Sequence, residues 1–169
     1  MTIEEFCSLN GKENTGTFEM LEGCVFPEGE FECGFTFVMY SLSGRCAFRV
    51  MGKEMQVGRR CMTVFRPGIT VEKISSSDNF RCKVLLIGGD LGIELNISNV
   101  FLTLFIMDET PVLKVSAAYG DAVRLFFEAF SRVVQFERNP YTKDCLLSLL
   151  RAFFYSSGYF LFKSLRFKG

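Results

Sequence analysis

Histidine is absent from this chain, and its absence limits the chemistry that the sequence can support. Without an imidazole there is no Ser-His-Asp triad, no Cys-His pair and no histidine acting as a general acid or base. A metal site would depend on cysteines and carboxylates alone, and neither residue type shows the spacing of a ligand set. We therefore predict no catalytic residue, no metal site and no cofactor.

Cysteine is the other chemically distinctive residue type. The chain has seven cysteines, an odd number, with no C-x-x-C motif, and several of them lie inside apolar runs. Buried free thiols in a reducing compartment explain this pattern best. The N-terminal residues Met1–Glu5 are acidic, whereas a signal peptide begins with a basic region followed by an apolar one. We therefore predict a cytoplasmic protein.

Composition and charge set the class of protein. The 169 residues are enough for one packed domain, and 49% of them are apolar against 22% charged, which is typical of a globular chain. The charges of the 19 basic and 19 acidic residues cancel. Without an excess of positive charge, the composition does not favour binding of this segment to nucleic acid. The longest apolar stretch, Cys145–Phe162, is interrupted by Arg151, and we predict no membrane span.

The elements that must position any site are short strands followed by two helices. From Phe35 to Phe65, β-compatible runs are separated by glycine turns, including a tight turn at Gly52 and Lys53. A second hairpin is predicted over Ile69–Ile74 and Phe80–Ile87. Repeated short strands at this spacing indicate a sandwich or a barrel. We assign it to residues 17–115 and predict that residues 1–16 form a loose arm.

The last third of the chain changes to helical spacing. Ser116 is expected to cap a helix that runs to about Glu137, and Thr142 one that runs to about Phe162. A short helix over Asn99–Met107 and a strand over Pro111–Val115 precede them. The second long helix is apolar almost all round, so we expect one face to contact a second subunit, the alternative being that its own domain covers both faces. The candidate interface residues are Leu146, Leu149, Leu150, Phe153 and Phe154.

A cluster of large side chains in the strand region could line a pocket. Such a cluster is first a hydrophobic core and only second an apolar ligand site. Arginines on the same strands, including Arg49 and Arg60, could reach an anionic group, although an outward-facing arginine is the simpler interpretation. Sequence does not fix which strand face points inward. The candidate ligand-binding residues are Phe35, Phe37, Tyr40, Phe48, Met62, Val64, Arg66 and Glu72.

The pattern from Phe35 to Pro67 resembles the N-terminal sensor domain of AraC-type transcriptional regulators. A strand ends at Ser43 and Gly44, Phe48-x-Val50 follows, then Gly52, then Met55-x-Val57-Gly58, and a last strand leads into Arg66 and Pro67. The strand over Pro111–Val115 and two helices separated by Asn139-Pro-Tyr141 fit the same order, so the resemblance covers residues 17 to 165.

The resemblance implies a mainly β fold with α-helices: a cupin-like jelly-roll barrel followed by a helical hairpin over residues 116–169 that forms a homodimer. It implies a small-molecule effector for the barrel and an N-terminal arm over residues 1–16 that closes on it. It also implies a C-terminal DNA-binding domain, for which these 169 residues leave no room. DNA binding is therefore expected of a part that this chain lacks.

Two other functions stay open at this stage. One is a non-metal cupin enzyme, an isomerase or lyase acting on a sugar or small acid, with Glu72, Tyr40 or an arginine as the acid–base candidates. Metal-dependent cupin enzymes need a histidine-rich ligand set that this chain lacks. The other is a structural dimerisation barrel without a ligand, which a filled interior would favour.

Overall fold

The structure is a computed structural model that describes the backbone of residues 1–13, 17–95, 112–135 and 139–168, and side chains up to Tyr159 with the exception of Asp90. The described helices are α1 (Ile3–Leu9), α2 (Gly89–Leu95), α3 (Ala117–Val134) and α4 (Thr142–Lys168). The described strands are β1 (Phe18–Glu22), β2 (Phe31–Glu32), β3 (Thr36–Ser43), β4 (Cys46–Val50), β5 (Lys53–Val57), β6 (Cys61–Phe65), β7 (Thr70–Ser76), β8 (Arg81–Ile87) and β9 (Val112–Lys114).

The strands form two antiparallel sheets. The larger sheet has five strands in the order β1-β8-β3-β6-β9, and the smaller sheet has four in the order β2-β7-β4-β5. This arrangement confirms the predicted mainly β, cupin-like fold with two C-terminal helices. Over the described residues the two sheets stay separate instead of joining into one closed barrel, so the fold is a sandwich with a helical layer.

The larger sheet is buried on both of its faces. Along β3, Phe37 and Met39 join a core between the two sheets, whereas Val38 and Tyr40 join a core beneath α3 and α4. Successive side chains of a strand point to opposite faces, so this division follows from the pleat itself. We call the two regions the inner core and the helical core. Every residue of β6 is buried for the same reason.

The helical core is built by α3 and α4. Ser116 caps α3, its hydroxyl accepting a hydrogen bond from the Tyr119 N–H at 3.2 Å, and α4 begins at Thr142, as predicted, but continues to Lys168. Val123, Phe127 and Phe130 of α3 pack on the larger sheet. Among the described residues, no helix combines the length and hydropathy needed to cross a bilayer. The predicted helix over Asn99–Met107 lies outside the described residues.

The segment predicted as a loose arm contains a short helix. Residues Ile3–Leu9 form α1, which is closed by a capping box between Thr2 and Glu5. Ile3, Phe6 and Cys7 are buried in the inner core. The helix has seven residues, which make only about two turns. Two turns flanked by polar residues are too few to show a helical period of apolar residues in the sequence. The arm is therefore an ordered part of the domain over this range.

The β3–β4 turn gives a direct test of this packing. Gly44 has a φ of 75°, and a Cβ added there would lie 2.6 Å from backbone atoms of Phe80. Gly52 has a similar φ of 81°, with nothing within 4 Å of its Cβ position. We expect Gly44→Ala to lower the free energy of unfolding by more than Gly52→Ala, which pays only the left-handed backbone cost of about 1–2 kcal/mol. Urea unfolding of both variants measures the difference, and equal losses would contradict the described turn.

Candidate functional site

The inner core is the candidate ligand chamber, and it is filled with aromatic rings. Phe37 and Phe65 stack with their ring centroids 5.4 Å apart, and Phe48 meets Phe65 edge-on at 5.6 Å. Phe26 lies 5.0 Å from Phe48. Such offset and edge-to-face pairs stabilise beyond the burial of their area, by about 0.5–1.5 kcal/mol each. The inner core is therefore apolar and closely packed, which is the filled interior that the ligand-free structural alternative expects.

Helix α1 closes one end of the chamber. The ring of Phe6 is fully buried and lies 5.5 Å from Phe35 and 5.9 Å from Phe37, measured between centroids. The chain start is held by the Gly34 N–H, which donates to the Met1 carbonyl at 2.8 Å. A Cβ at Gly34 would lie 2.6 Å from that oxygen, so the close approach depends on glycine. Phe6 thus fills this end of the inner core.

Two hydroxyl groups interrupt the apolar chamber. Ser41 and Thr63 are fully buried, and within the described part of the chain neither side-chain oxygen has a hydrogen-bond partner. Strand alternation places both side chains on the inner face of the larger sheet. Ser41 shares that face with Met39, two residues earlier on β3. Thr63 lies between Met62 and Val64, which both face the helical core. An unsatisfied buried hydroxyl costs about 1–3 kcal/mol.

The sequence analysis missed these two hydroxyls. Serine and threonine are common on exposed strand faces, and nothing in the sequence separates a buried unpaired hydroxyl from a solvated one. The available signal was positional: Ser41 follows an apolar run and Thr63 interrupts another. Only the register of β3 against β6, in which Met39 faces Thr63, brings them to neighbouring strands on one face.

Two thiols of the inner core, those of Cys33 and Cys46, are held in the protonated form. Burial raises the pKa of Cys33 to about 11 and that of Cys46 to about 11. The Cys33 thiol also donates to the Phe35 carbonyl at 3.1 Å. A protonated, buried thiol is a poor nucleophile, because the thiolate is the reactive species. These cysteines therefore act as small apolar side chains in the packing.

The predicted ligand-binding residues divide into three groups. Phe35, Phe37 and Phe48 lie in the inner core. Tyr40, Met62 and Val64 lie on the opposite face of the larger sheet, in the helical core, because they have the other strand parity. Arg66 is exposed, and Glu72 forms an ion pair of 2.8 Å with Arg49 on the smaller sheet. The structure thus brings three of the eight together in the chamber, and their binding of a ligand stays a prediction.

Tyr40 belongs to the contact between sheet and helix. Its hydroxyl lies 2.5 Å from where a Cβ on Gly120 of α3 would stand, so only glycine allows α3 to come this close. Burial raises the pKa of Tyr40, and the nearby cations Arg124 and Arg60 oppose that rise. The phenol therefore stays protonated and facing α3, away from the chamber. It is not positioned as an acid or base toward a ligand between the sheets.

Helix α4 presents a different surface from the one expected. Leu146, Leu150, Phe153 and Phe154 are buried within their own chain, and Leu149 is half-buried. In this packing the four buried residues have no surface to offer a second copy, because α3 and the larger sheet already cover them. A helix that is apolar all round does not reveal its inward face from sequence alone. Their role in a dimer stays a prediction that this packing does not support.

The exposed side of α4 carries a regular pattern of its own. Its residues recur at alternating intervals of three and four, which is the spacing of a coiled-coil seam. The two tyrosines of the pattern, Tyr155 and Tyr159, are 56% and 70% exposed. The smaller members allow close approach of another backbone. We call this set the outer stripe; it consists of Cys145, Ser148, Ala152, Tyr155 and Tyr159.

Comparison with known proteins identifies the fold. No family model and no curated protein matches the chain. Among solved structures it is similar to apo ToxT from Vibrio cholerae, with a TM-score of 0.50, 10% sequence identity and coverage of 86% of this chain and 57% of that one. The chain thus spans a little over half the length of ToxT. ToxT is an AraC-family regulator, and the predicted resemblance is confirmed at the level of the fold.

Two further likenesses are weaker. ToxT from Vibrio cholerae O395 bound to (E)-4-(8-methylnaphthalen-1-yl)but-3-enoic acid gives a TM-score of 0.44 at 13% identity, covering 83% of this chain and 56% of that one. The EutQ protein of Clostridium difficile gives 0.34 at 14% identity, covering 43% of this chain and 56% of that one.

The chemistry of the chamber bears on the alternative enzyme hypothesis. Its described buried members are apolar residues, cysteines, the two hydroxyls and Glu19, a buried carboxylate on the same face of β1 as Leu21. An acid–base enzyme needs titratable groups that face the substrate. Glu19 lies 3.5 Å from the Lys12 ammonium, whereas Glu72 is paired on the outer face and Tyr40 faces α3. The enzyme hypothesis therefore stays an alternative that no described pair of the predicted candidates supports.

The unpaired state of Thr63 can be tested by an isosteric change. We expect Thr63→Val to raise the free energy of unfolding by about 1 kcal/mol, because it removes a buried hydroxyl that has no partner and keeps the β-branched shape. Urea unfolding at neutral pH measures the change.

Ser157→Ala is the matched control for that measurement. Ser157 is equally buried, but its hydroxyl lies 2.5 Å from the Tyr119 hydroxyl. Its removal is expected to destabilise the protein by about 1 kcal/mol. A loss of stability in Thr63→Val comparable with that in Ser157→Ala would show that Thr63 is hydrogen-bonded.

Proposed function

We propose that this chain is the effector-sensing and dimerisation module of a bacterial transcriptional regulator. The similarity of its fold to ToxT, an AraC-family regulator, supports the class of protein. Fold alone does not define function, so the proposal depends on surfaces of this chain. The observation that carries it is the outer stripe of α4, an exposed row at coiled-coil spacing on a helix whose other side is already packed.

The outer stripe has the composition of a protein interface. Tyrosine contributes a large apolar ring with a polar end and is enriched at interfaces. Ala152 and Ser148 are small, so a second α4 can approach between the rings of Tyr155 and Tyr159. A spacing of 3.5 residues keeps such a row facing one partner along several turns. We therefore assign homodimerisation to α4 through its exposed side.

The effector is assigned to the chamber between the sheets. The ring-lined wall favours a small, largely apolar molecule, and the hydroxyls of Ser41 and Thr63 favour one that carries a hydrogen-bonding group. Helix α1 is the element that we expect to move when an effector binds, because the ring of Phe6 fills the end of the chamber. An effector that displaces or reorders Phe6 would shift the population between two states of the domain.

DNA binding is assigned elsewhere in the regulator. In the regulators that this chain resembles, a C-terminal domain with two helix-turn-helix units contacts DNA. The formal charge of this chain is zero, which gives no general attraction to a polyanion. The module would act on DNA through the spacing of its dimer, in the cytoplasm.

The dimer proposal predicts a specific loss of association. The double variant Ala152→Glu, Tyr155→Glu places like charges in the centre of the outer stripe of both copies. We expect it to weaken self-association about thirtyfold or more, the effect of losing one interface hot spot. Sedimentation equilibrium over a dilution series measures the dissociation constant.

A matched variant separates this effect from a general effect of charge. Val25→Glu introduces the same carboxylate at a residue that is 59% exposed, in the loop after β1. It is expected to leave the dissociation constant unchanged. A wild-type chain that is monomeric at tens of micromolar, or a dimer that the double variant leaves intact, would contradict the assignment.

The chamber proposal predicts selective binding of a hydroxylated aromatic probe. We expect phenol to stabilise the wild-type protein more than benzene does at the same concentration, because only phenol can bond to Ser41 or Thr63. The advantage of phenol should disappear in the Ser41→Ala, Thr63→Val double variant. Thermal unfolding with each probe measures the effect, and an equal response to both probes in the wild type would argue against the two hydroxyls as ligand contacts.

A further inference from the structure

A concave site lies at the end of the strands where β3 ends and β6 begins. It is a cleft of about 750 Å³ formed where the β3–β4, β5–β6 and β7–β8 turns meet the end of β9. Its volume falls in the range of small-molecule sites. Its charge is unusual: of the described residues that line it, four are cationic and none is a carboxylate. We call it the basic cleft, and its cations are Arg45, Arg59, Arg60 and Lys114.

The backbone around the basic cleft is fixed by turn geometry. Arg45 follows Gly44, whose close contact with the Phe80 backbone holds the β3–β4 turn. Arg60 adopts a left-handed conformation with a φ of 61°. Its N–H donates to the Ser41 carbonyl at 2.8 Å, and its own carbonyl accepts from the Val115 N–H at 2.9 Å. Arg60 is therefore clamped between β3 and the start of the helical layer.

The cations of the basic cleft differ from other cations on the strands in their described surroundings. Arg49, for example, pairs with Glu72 at 2.8 Å. Over the described residues, none of the four forms an ion pair with a carboxylate. The side chain of Arg60 runs toward α3, where its Cδ lies 3.8 Å from the Cβ position of Gly120 and its Nε is buried without an acceptor among the described residues. Like charges held together in a cleft repel one another, and a bound anion relieves that repulsion.

We propose that the basic cleft binds a small, multiply charged anion, with a phosphate or pyrophosphate group as the ligand chemistry. Arginine guanidinium groups bind such oxygens through paired, charge-assisted hydrogen bonds. The polar side chains of Gln56 and Asn79 at the rim add neutral hydrogen-bonding groups. A single cleft in a chain of zero net charge favours a small ligand over a nucleic-acid backbone, which is bound by extended basic tracks. The site does not depend on the proposed regulatory function.

Calorimetric titration with inorganic pyrophosphate at fixed ionic strength tests this site. We expect saturable binding to the wild-type chain that Arg59→Gln and Lys114→Gln each weaken about tenfold or more, the scale of a lost charge-assisted hydrogen bond. Both residues are exposed, so neither change threatens the fold. Arg66→Gln is the matched control, because Arg66 is an exposed arginine in the β6–β7 turn at the opposite end of the strands.

Two further titrants identify the class of anion. Citrate in place of pyrophosphate distinguishes carboxylate from phosphate chemistry. Saturable binding of pyrophosphate that Arg59→Gln weakens and Arg66→Gln does not supports the proposal. Absence of saturable pyrophosphate binding, saturable binding of citrate alone, or equal weakening by the control variant overturns it. Binding of a duplex DNA alone, lost in Arg59→Gln, would also overturn it in favour of a nucleic-acid surface.

Discussion

Burial of the larger sheet on both faces is the constraint on which the rest of this structure depends. β3, β6 and β8 contribute alternate side chains to the inner core and to the helical core, so neither core exists without the same three strands. Close packing makes a protein interior respond as a unit to a change in shape. A side chain that moves between the sheets must therefore be accommodated by strands that also support α3 and α4.

That shared sheet gives the proposed module a physical route from effector to dimer. On one side lie the phenylalanine rings, helix α1, and the hydroxyls of Ser41 and Thr63. On the other side lie Tyr40 and Gly120, which hold α3 close to the sheet, and then α4 with its outer stripe. The coupling needs no moving loop, because the two surfaces are separated by one sheet. The basic cleft stands apart from this route, at the turn end of the strands.

Strong local signals in the sequence were enough to predict the fold but not the orientation of its side chains. Glycine turns and alternating residues located β4 and β5, and a capping serine located α3. In β3 and β6 nearly every residue is apolar, since both faces are buried, so the two-residue period that reveals an inward face is absent. Tyr40, Met62 and Val64 were assigned to the chamber for that reason and lie on the helical side.

The same physical limit explains the differences in the helices. A helix that is apolar all round has no polar face to mark its outside, and the buried Leu150 and Phe153 could not be distinguished from an interface. Its outer stripe contains small residues and tyrosines, which a search for strongly hydrophobic side chains does not identify as an interface. Helix α1 is short and flanked by polar residues, so its burial follows from tertiary contacts of Phe6 and not from local propensity.

Hydrogen–deuterium exchange of the native protein tests the central claim, that one doubly buried sheet joins the chamber to the helices. The structure predicts that slow-exchanging amides of β3 and of the buried turns of α4 open in one cooperative event, with the same free energy and the same dependence on denaturant. Separate opening of α4 at a clearly lower free energy, with β3 still protected, would contradict the account. The helices would then unfold independently of the sheet, and a change in the chamber would not be transmitted to them.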